Sequence, residues 1–502
     1  MSDARARVKR RWVLAATIVG SSMTFIDGTV VNVALPALQE GLHATITEVQ
    51  WVIEAYALLL GALILVGGSL GDQLGRKRVF LAGVVSFTAA SIFCGLATTA
   101  AALVAGRAVQ GIGAAFLVPG SLAIISATFD ERDRGRAIGT WSGFSAITTA
   151  IGPVLGGWLI EHVSWRAVFF LNVPLAVVVV VLSLWFMDES RDPSRTARTD
   201  WSGAALAVLG LGGIVFGLLE WPPLGASNPI VVATLAGGAV ALVLFVRVER
   251  GIANPMVPPK LFASRAFTLA NLLTLVLYGA LALIFFLVPM NLIQVQGYSA
   301  TAAGAALLPF PVIMFALSRW SGGLVARVGS RLPLGAGPLV AAAGVALFCL
   351  PGIGGSYWTT FFPATVVLGL GMAVTVAPLT TTVMGAVASE HAGTASGINN
   401  AVSRVAGLLA IAVFGVILVR TFDARVRPPL DALHLSPSTR SAVERELPKM
   451  AGADLRAPAI DPSRRKAIHD TIASAFVAAF RPVMAGAAAL ALVAAMFGAL
   501  IR

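Results

Sequence analysis

Charge is what this sequence has least of. Only 12% of its 502 residues are Asp, Glu, Lys or Arg, against roughly 25% in an ordinary soluble domain. That is too little polar side chain to cover a water-soluble body of this size, which excludes a soluble enzyme. A hydrophobic content of 57% excludes a disordered tail. Cysteine is scarce as well. Cys94 and Cys349 both lie in apolar stretches, so they offer neither a metal-ligand cluster nor a disulfide framework and read as buried small hydrophobes. Histidine numbers 5, with no metal-like spacing. A membrane enzyme would need clustered His, acid or Cys at a membrane face, and none is found. The remaining class is an all-α polytopic membrane protein.

What is present is a succession of long apolar runs. A span needs about 20 mostly apolar residues. Such runs predict about fourteen helices, near 12–36, 51–71, 79–97, 101–123, 137–160, 166–187, 201–221, 229–247, 267–290, 301–325, 333–351, 357–385, 397–420 and 472–500. The short alternating segments of an outer-membrane barrel are absent. Arg5, Arg7, Lys9, Arg10 and Arg11 precede a first run too long for the core of a cleavable signal, so the N-terminus reads as a basic tail.

The net charge of +12 records orientation. Alternate loops carry Arg76, Lys77 and Arg78, then Arg132, Arg134 and Arg136, then Arg191, Arg195 and Arg198, then Arg247, Arg250, Lys260 and Arg265, then Arg327 and Arg331. The opposite loops are nearly bare, with Arg166 the main exception. Short basic loops stay on the cytoplasmic side, so both termini are expected in the cytoplasm and a nucleic-acid role is not implied. Residues 421–470 read as a long polar loop on the outer side. Asp461-Pro462 looks like a helix start that extends the last span.

An internal repeat divides the chain. Gly68-Ser-Leu-Gly-Asp72-Gln-Leu-Gly75-Arg76 has a degraded copy, Gly322-Gly-Leu-Val-Ala326-Arg-Val-Gly329-Ser330-Arg331, at an offset of 322 − 68 = 254. Gly135, Ala137 and Gly139 echo in Gly393, Ala395 and Gly397 at 393 − 135 = 258. Internal repeats are the usual build of secondary transporters, with the substrate between the halves near the midplane. The expected organisation is a six-helix bundle over 1–188, a two-helix insertion over 189–265 and a second six-helix bundle over 266–502.

Ionisable groups inside spans point to function, because a mid-span carboxylate costs about 2.5–3.5 kcal/mol even on the lenient insertion scale. Asp27, Glu54 and Arg107 stand out. At about 1.5 Å per residue they lie roughly 13, 5 and 9 Å inside the outer ends of their spans, at overlapping depth. A carboxylate whose Arg contact changes between states can bind and release a proton, so Asp27, Glu54 and Arg107 are the expected proton-coupling residues. The alternative is a static ion pair holding three helices together. Thr24, Gly28 and Asn32 share the face of Asp27 at a spacing of four. Thr24, Asn32, Gln110, Asn271, Tyr278, Asn291 and Asn400 are the expected cavity lining, and Asn399 and Arg404 an expected helix interface in the second half. Phe285 and Phe286 read chiefly as core. Thr148, Gly152 and Gly156 form a small-residue stripe beside Pro153 and Gly157, which allows close and mobile packing. Gly68, Asp72, Gly75, Arg76 and Arg78 form a charged turn that can clamp helices in one state and release them in another. No mid-span acid is found in the second half.

These residues resemble the major facilitator superfamily, specifically its fourteen-span drug:proton antiporter branch (the EmrB/QacA type). FIDGTVVNVALP at 25–36, GSLGDQLGRKR at 68–78, RAVQGIGAA at 107–115, GPVLGG at 152–157, WRAVFFLNVP at 165–174 and NPMVPPKLF at 254–262 carry the resemblance. It implies two six-helix bundles plus two inserted helices, alternating access, and proton entry driving export of an amphipathic compound across a bacterial inner membrane. It further implies that Arg107 assists proton transfer at Asp27, that the 68–78 turn gates the inward side, and that Gly152–Gly157 is the antiporter motif. Glu54 departs from the branch pattern. The expected protein is a monomer with protons as coupling ion and no other cofactor. A periplasmic adaptor protein is a candidate partner. Export of one endogenous metabolite, or proton-coupled uptake on the same fold, are the alternatives.

Overall fold

The computed structural model describes residues 2–191, 199–252, 255–388 and 392–501; Arg195, Arg198 and Asn254 lie outside them. No strand occurs among the described residues. The first bundle comprises α1 (Ser2–Leu42), α2 (Ile46–Leu74), α3 (Arg76–Leu96), α4 (Ala100–Thr128), α5 (Glu131–His162), α6 (Ala167–Phe170) and α7 (Asn172–Phe186). Then come α8 (Trp201–Leu224) and α9 (Pro229–Gly251). The second bundle comprises α10 (Arg265–Met290), α11 (Ala300–Ala306), α12 (Pro309–Gly322), α13 (Leu324–Val328), α14 (Arg331–Leu347), α15 (Phe361–Gly385), α16 (Ala392–Ala432), α17 (Pro437–Glu446) and α18 (Arg465–Leu500). Among the described residues 13 helical stretches are long and apolar enough to cross a bilayer, and α14 is a shorter apolar helix. The fourteen runs of the sequence each meet a helix, two of them broken: Ala167–Phe186 at Leu171, and 300–322 ahead of Pro309.

Local chemistry sets the helix starts. Thr45 accepts from the Glu48 amide while Glu48 returns to the Thr45 amide at 2.8 Å, a reciprocal cap on α2. Thr99, Ser264 and Ser299 cap α4, α10 and α11, each such cap worth about 1 kcal/mol. Asp200 accepts from Gly203 N at the start of α8, and Asn228 followed by Pro229 opens α9. Arg166, the basic residue on the otherwise bare side, donates to the Gly95 and Ala97 carbonyls that end α3.

Small residues set how closely the helices pack. A Cβ on Gly67 of α2 would stand 2.0 Å from the Ala115 carbonyl oxygen of α4, so only glycine admits this crossing. The inserted α8 and α9 pack on each other, and α8 also lies against α2 and α16. The repeat is visible in the backbone. Gly75 and Gly329, 329 − 75 = 254 residues apart, both take positive φ (117° and 74°) just ahead of α3 and α14. The second echo falls at the starts of α5 and α16.

One stretch differs from the sequence reading. Residues 421–470 are largely helical, not a loop. Helix α16 runs on to Ala432, 41 residues and about 60 Å, well beyond a bilayer core. Helix α17 and a 3-10 turn over Leu447–Gly452 follow. Asp461 does not cap the last helix. It accepts from Ser463 in a turn, and α18 starts at Arg465. This cap rests on the end of α1, where Gln39 donates to the Lys449 carbonyl at 3.0 Å and Arg456 donates to Glu40 at 2.8 Å. The side chain of Arg456 also holds the Asp454 carboxyl below its ordinary pKa.

Candidate functional site

Five helices of the first bundle converge on one polar knot. Asp27 of α1 and Arg107 of α4 are each only 2% exposed. The Arg107 guanidinium donates to Asp27 at 2.5 Å, to the Gln110 side-chain oxygen at 2.7 Å and to the Val52 carbonyl of α2 at 3.1 Å. It also lies 4.2 Å from the centre of the Tyr56 ring. Gln110 donates to the other Asp27 oxygen at 2.8 Å and to Ser91 of α3 at 3.3 Å. Ser91 in turn receives Asn172 of α7 at 2.9 Å. The expected Asp27–Arg107 pair is thus formed, inside a wider hydrogen-bonded network.

Two residues sit elsewhere than expected. Gln110 is fully buried in this network and does not line a cavity. Glu54 is 0% exposed, and neither of its oxygens has a hydrogen-bond partner. Three helices are therefore not tied through one Asp–Arg–Glu cluster. Helical geometry explains the separation: Val52 offers its backbone to Arg107, whereas Glu54 lies on the stripe with Gln50 and Gly61, and those two face α16.

The other expected lining residues divide between open and buried places. A Cβ on Gly28 would meet nothing within 4 Å, so this face of α1 borders open space. Asn32 on the same face bonds back to the Gly28 carbonyl, and Thr24 is buried against the Ser21 carbonyl. Asn271 is buried and accepts from Asn399 at 3.1 Å, while Asn399 also donates to Thr274 at 2.7 Å, joining α10 to α16. Asn291 is buried and accepts from Gln296. Tyr278 and Asn400 are half-buried. Arg404, also half-buried, has its Cβ against Gly61 of the other bundle.

The glycines of α5 divide between two partners. A Cβ on Gly152 or Gly156 would press on Thr29 or Val30 of α1, at 2.1 and 3.0 Å. One on Gly157 would stand 2.5 Å from the Ala300 carbonyl oxygen, and Gly304 meets the Pro153 carbonyl in the same way at 2.3 Å. So α5 meets α11 of the second bundle backbone to backbone, with Glu161 accepting from Thr301 at 2.6 Å. Together with Gln39–Lys449 and Gln294–Gln39, these contacts join the two bundles at one end. Toward the other end Gly139, Gly143, Gly322 and Gly385 have no atom within 4 Å of a Cβ position.

The charged turn after α2 is organised by Asp72, which takes two bonds from Arg76 at 3.0 and 2.8 Å, and by Glu189. Glu189 accepts from the Lys77 and Arg78 amides at 3.1 and 3.2 Å and lies where a Gly75 side chain would be, at 2.5 Å. Gly68 packs near Pro119 of α4. The described partners of Arg76, Lys77 and Arg78 all lie within the first bundle, so this turn fastens the segment after α7 to the α2–α3 corner.

The Major Facilitator Superfamily model matches residues 17–411, from α1 into α16. The chain belongs to this superfamily. It is a multi-pass membrane transporter. The Mycobacterium tuberculosis multidrug resistance protein Stp is 34% identical to it over 468 residues, 92% of this chain and 86% of that one. The Streptomyces glaucescens tetracenomycin C resistance and export protein is 33% identical over 411 residues, 82% of this chain and 76% of its own. Among solved structures, a bacterial homologue of the human lysosomal transporter Spinster, inward-facing and unoccupied, superposes with a TM-score of 0.68 at 18% identity over 98% of each chain. That likeness is one of superfamily fold alone.

Sequence reasoning missed Ser91, Asn172, Tyr56 and Glu189. Asn172 stood within the quoted 165–174 motif and Tyr56 two residues from Glu54, so a signal existed for both. Ser91 had none, since one serine in an apolar helix is unremarkable until its partners are known. Cys94 is buried as expected, but Cys349, at the end of α14, is only partly so.

Proposed function

We propose that the protein exports small amphipathic compounds, drugs or antibiotics among them, across a bacterial cytoplasmic membrane by alternating access, driven by protons that bind at Asp27. The observation that carries this reading is the buried Asp27–Arg107–Gln110 knot. Arg107 has three partners that do not depend on the charge of Asp27: the Val52 carbonyl, the Gln110 oxygen and the Tyr56 ring. Protonating Asp27 therefore removes the charge that ties α1 to α4, leaving the neutral Gln110 bond, without leaving the guanidinium unsolvated. An ion pair that opens at low cost to its cation is suited to coupling; a purely structural pair gains nothing from such backup.

Direction is supported by two things. The named relatives are resistance and export proteins, and the small-residue motif of α5 forms the contact with α11 on which the halves pivot. The basic loops support a reading with the closed end, at Gly157 and Ala300, outside, the open end facing the cytoplasm, and both termini cytoplasmic. Substrate then enters from within while Asp27 awaits a proton from outside.

Inverted membrane vesicles with an acidified lumen test this. The wild type accumulates drug from a diverse panel, whereas Asp27→Asn, at equal abundance in the membrane, does not. Accumulation only under the opposite gradient marks uptake instead. Accumulation of one compound marks a dedicated exporter.

A further inference from the structure

Glu54 stands outside the Asp27 knot yet is as deeply buried, and its surroundings give it a different task. Gln50, Glu54 and Gly61 follow spacings of four and seven, so they share one face of α2. Gln50 fills the space beside Gly415, where a Cβ would stand 2.2 Å from its amide nitrogen. Gly61 lies against Arg404 and Val405. Leu58 packs with Leu408 and Ala412 in one buried cluster. This face of α2 is thus the seam against α16, and the seam joins one half of the transporter to the other.

The charged groups around it are engaged or distant. Arg107 of α4 is held by Asp27 of α1. Glu220 of α8 accepts from Trp51. Lys449, in the cap above, pairs with Glu446. Arg404 of α16 sits two helical turns along the seam, at Gly61. Neither Glu54 oxygen has a hydrogen-bond partner. The Gln50 amide nitrogen, one turn away on the same face, is also buried and unpaired. An ionised carboxylate buried without accepting a hydrogen bond is far less stable than the neutral acid.

We propose that Glu54 is a proton-operated latch on the α2–α16 seam: the seam closes only over the protonated acid, and water reaching the opened seam lets the acid ionise. Closing takes up one proton from the solution that bathes the open seam; opening returns it. The latch is separate from the drive at Asp27. It makes external acid favour closure, so that the outward-open form resets once protons are abundant outside. The inference rests on the alternating-access reading above.

Spin labels at Thr47 of α2 and Arg420 of α16, in the detergent-purified full chain, report the seam directly. In the wild type and in Asp27→Asn, the ratio of closed to open seam rises as pH falls, by up to about tenfold per pH unit for one linked proton. In Glu54→Gln, a neutral side chain of the same shape, the seam stays closed at every pH from about 5 to 8 and drug-stimulated opening no longer depends on pH. Glu54→Asp, which keeps the acid, retains a pH-dependent ratio. An unchanged pH response in Glu54→Gln overturns the latch, as does a wild-type seam that ignores pH. If Asp27→Asn alone abolishes the response, the latch fails while the coupling role of Asp27 stands. If Asp27→Asn keeps full coupled transport, the coupling role fails while the latch stands.

Discussion

The first bundle builds its polar interior on charge; the second builds it on neutral amides. Asp27 and Arg107 organise α1, α2, α3, α4 and α7 through a chain of bonds that ends at Asn172. In the second bundle Asn399 bridges to Asn271 and Thr274. Both arrangements satisfy buried polar atoms, but they respond differently to a proton. An amide has no proton to gain near neutral pH, so the Asn399 contacts are insensitive to one, whereas the Asp27 contacts are not. On the proposed function, this contrast would divide labour within a repeated fold: one half would sense the proton and the other would offer a steady surface to move against.

This contrast can be broken, and Arg107→Ala carries the largest expected effect. It strands Asp27 in a dry site, and loss of one partner of a buried pair costs about 3–5 kcal/mol. Thermal unfolding in detergent should show the loss, and adding Asp27→Asn should restore a good part of it. If the double variant recovers nothing, charge is not what organises the first bundle. Next comes Gly157→Leu, which drives a side chain into the Ala300 backbone. Overpacking of about 1–3 kcal/mol should shift the joined end toward the open form, read as a longer label-to-label distance between α5 and α11.

Asn399→Ala tests the second bundle. It removes two hydrogen bonds to α10, each worth about 1 kcal/mol, and should lower stability without altering the pH dependence of transport. A changed pH profile in this variant would erase the distinction between the halves. The smallest effect belongs to Arg456→Ala at the cap. Its bond to Glu40 is solvent-exposed on both sides, so the melting temperature should stay within error of the wild type.

How much of this was legible beforehand varies by element. The spans were, because apolar runs of bilayer length admit few other readings. Asp27 and Arg107 were too, since a charge inside a span is conspicuous. The split of α5 between two partners was not: the stripe announced close packing, but not that Gly152 meets α1 while Gly157 meets α11. Residues 421–470 looked like a loop because they are polar and hold no apolar run of bilayer length, and packing against Gln39 and Glu40 is what makes them a cap. Glu54 was read as a neighbour of Arg107 because depth alone was available, and depth says nothing of azimuth.

The scarcity of charge and the spacing of apolar runs by themselves determined a many-spanned helical membrane protein, its internal repeat and its three costly charged residues, Asp27, Glu54 and Arg107. Those properties depend on residue type and on sequence distance, which the chain states directly. Only the tertiary structure decided which polar atoms meet. It placed Gln110 in the knot instead of the cavity, brought in Ser91 and Asn172, and left Glu54 without a partner in the seam between halves. Hydrogen bonds act over about 3 Å and in one direction, so they are settled by how helices rotate and cross, and that depends on every side chain in the interface at once.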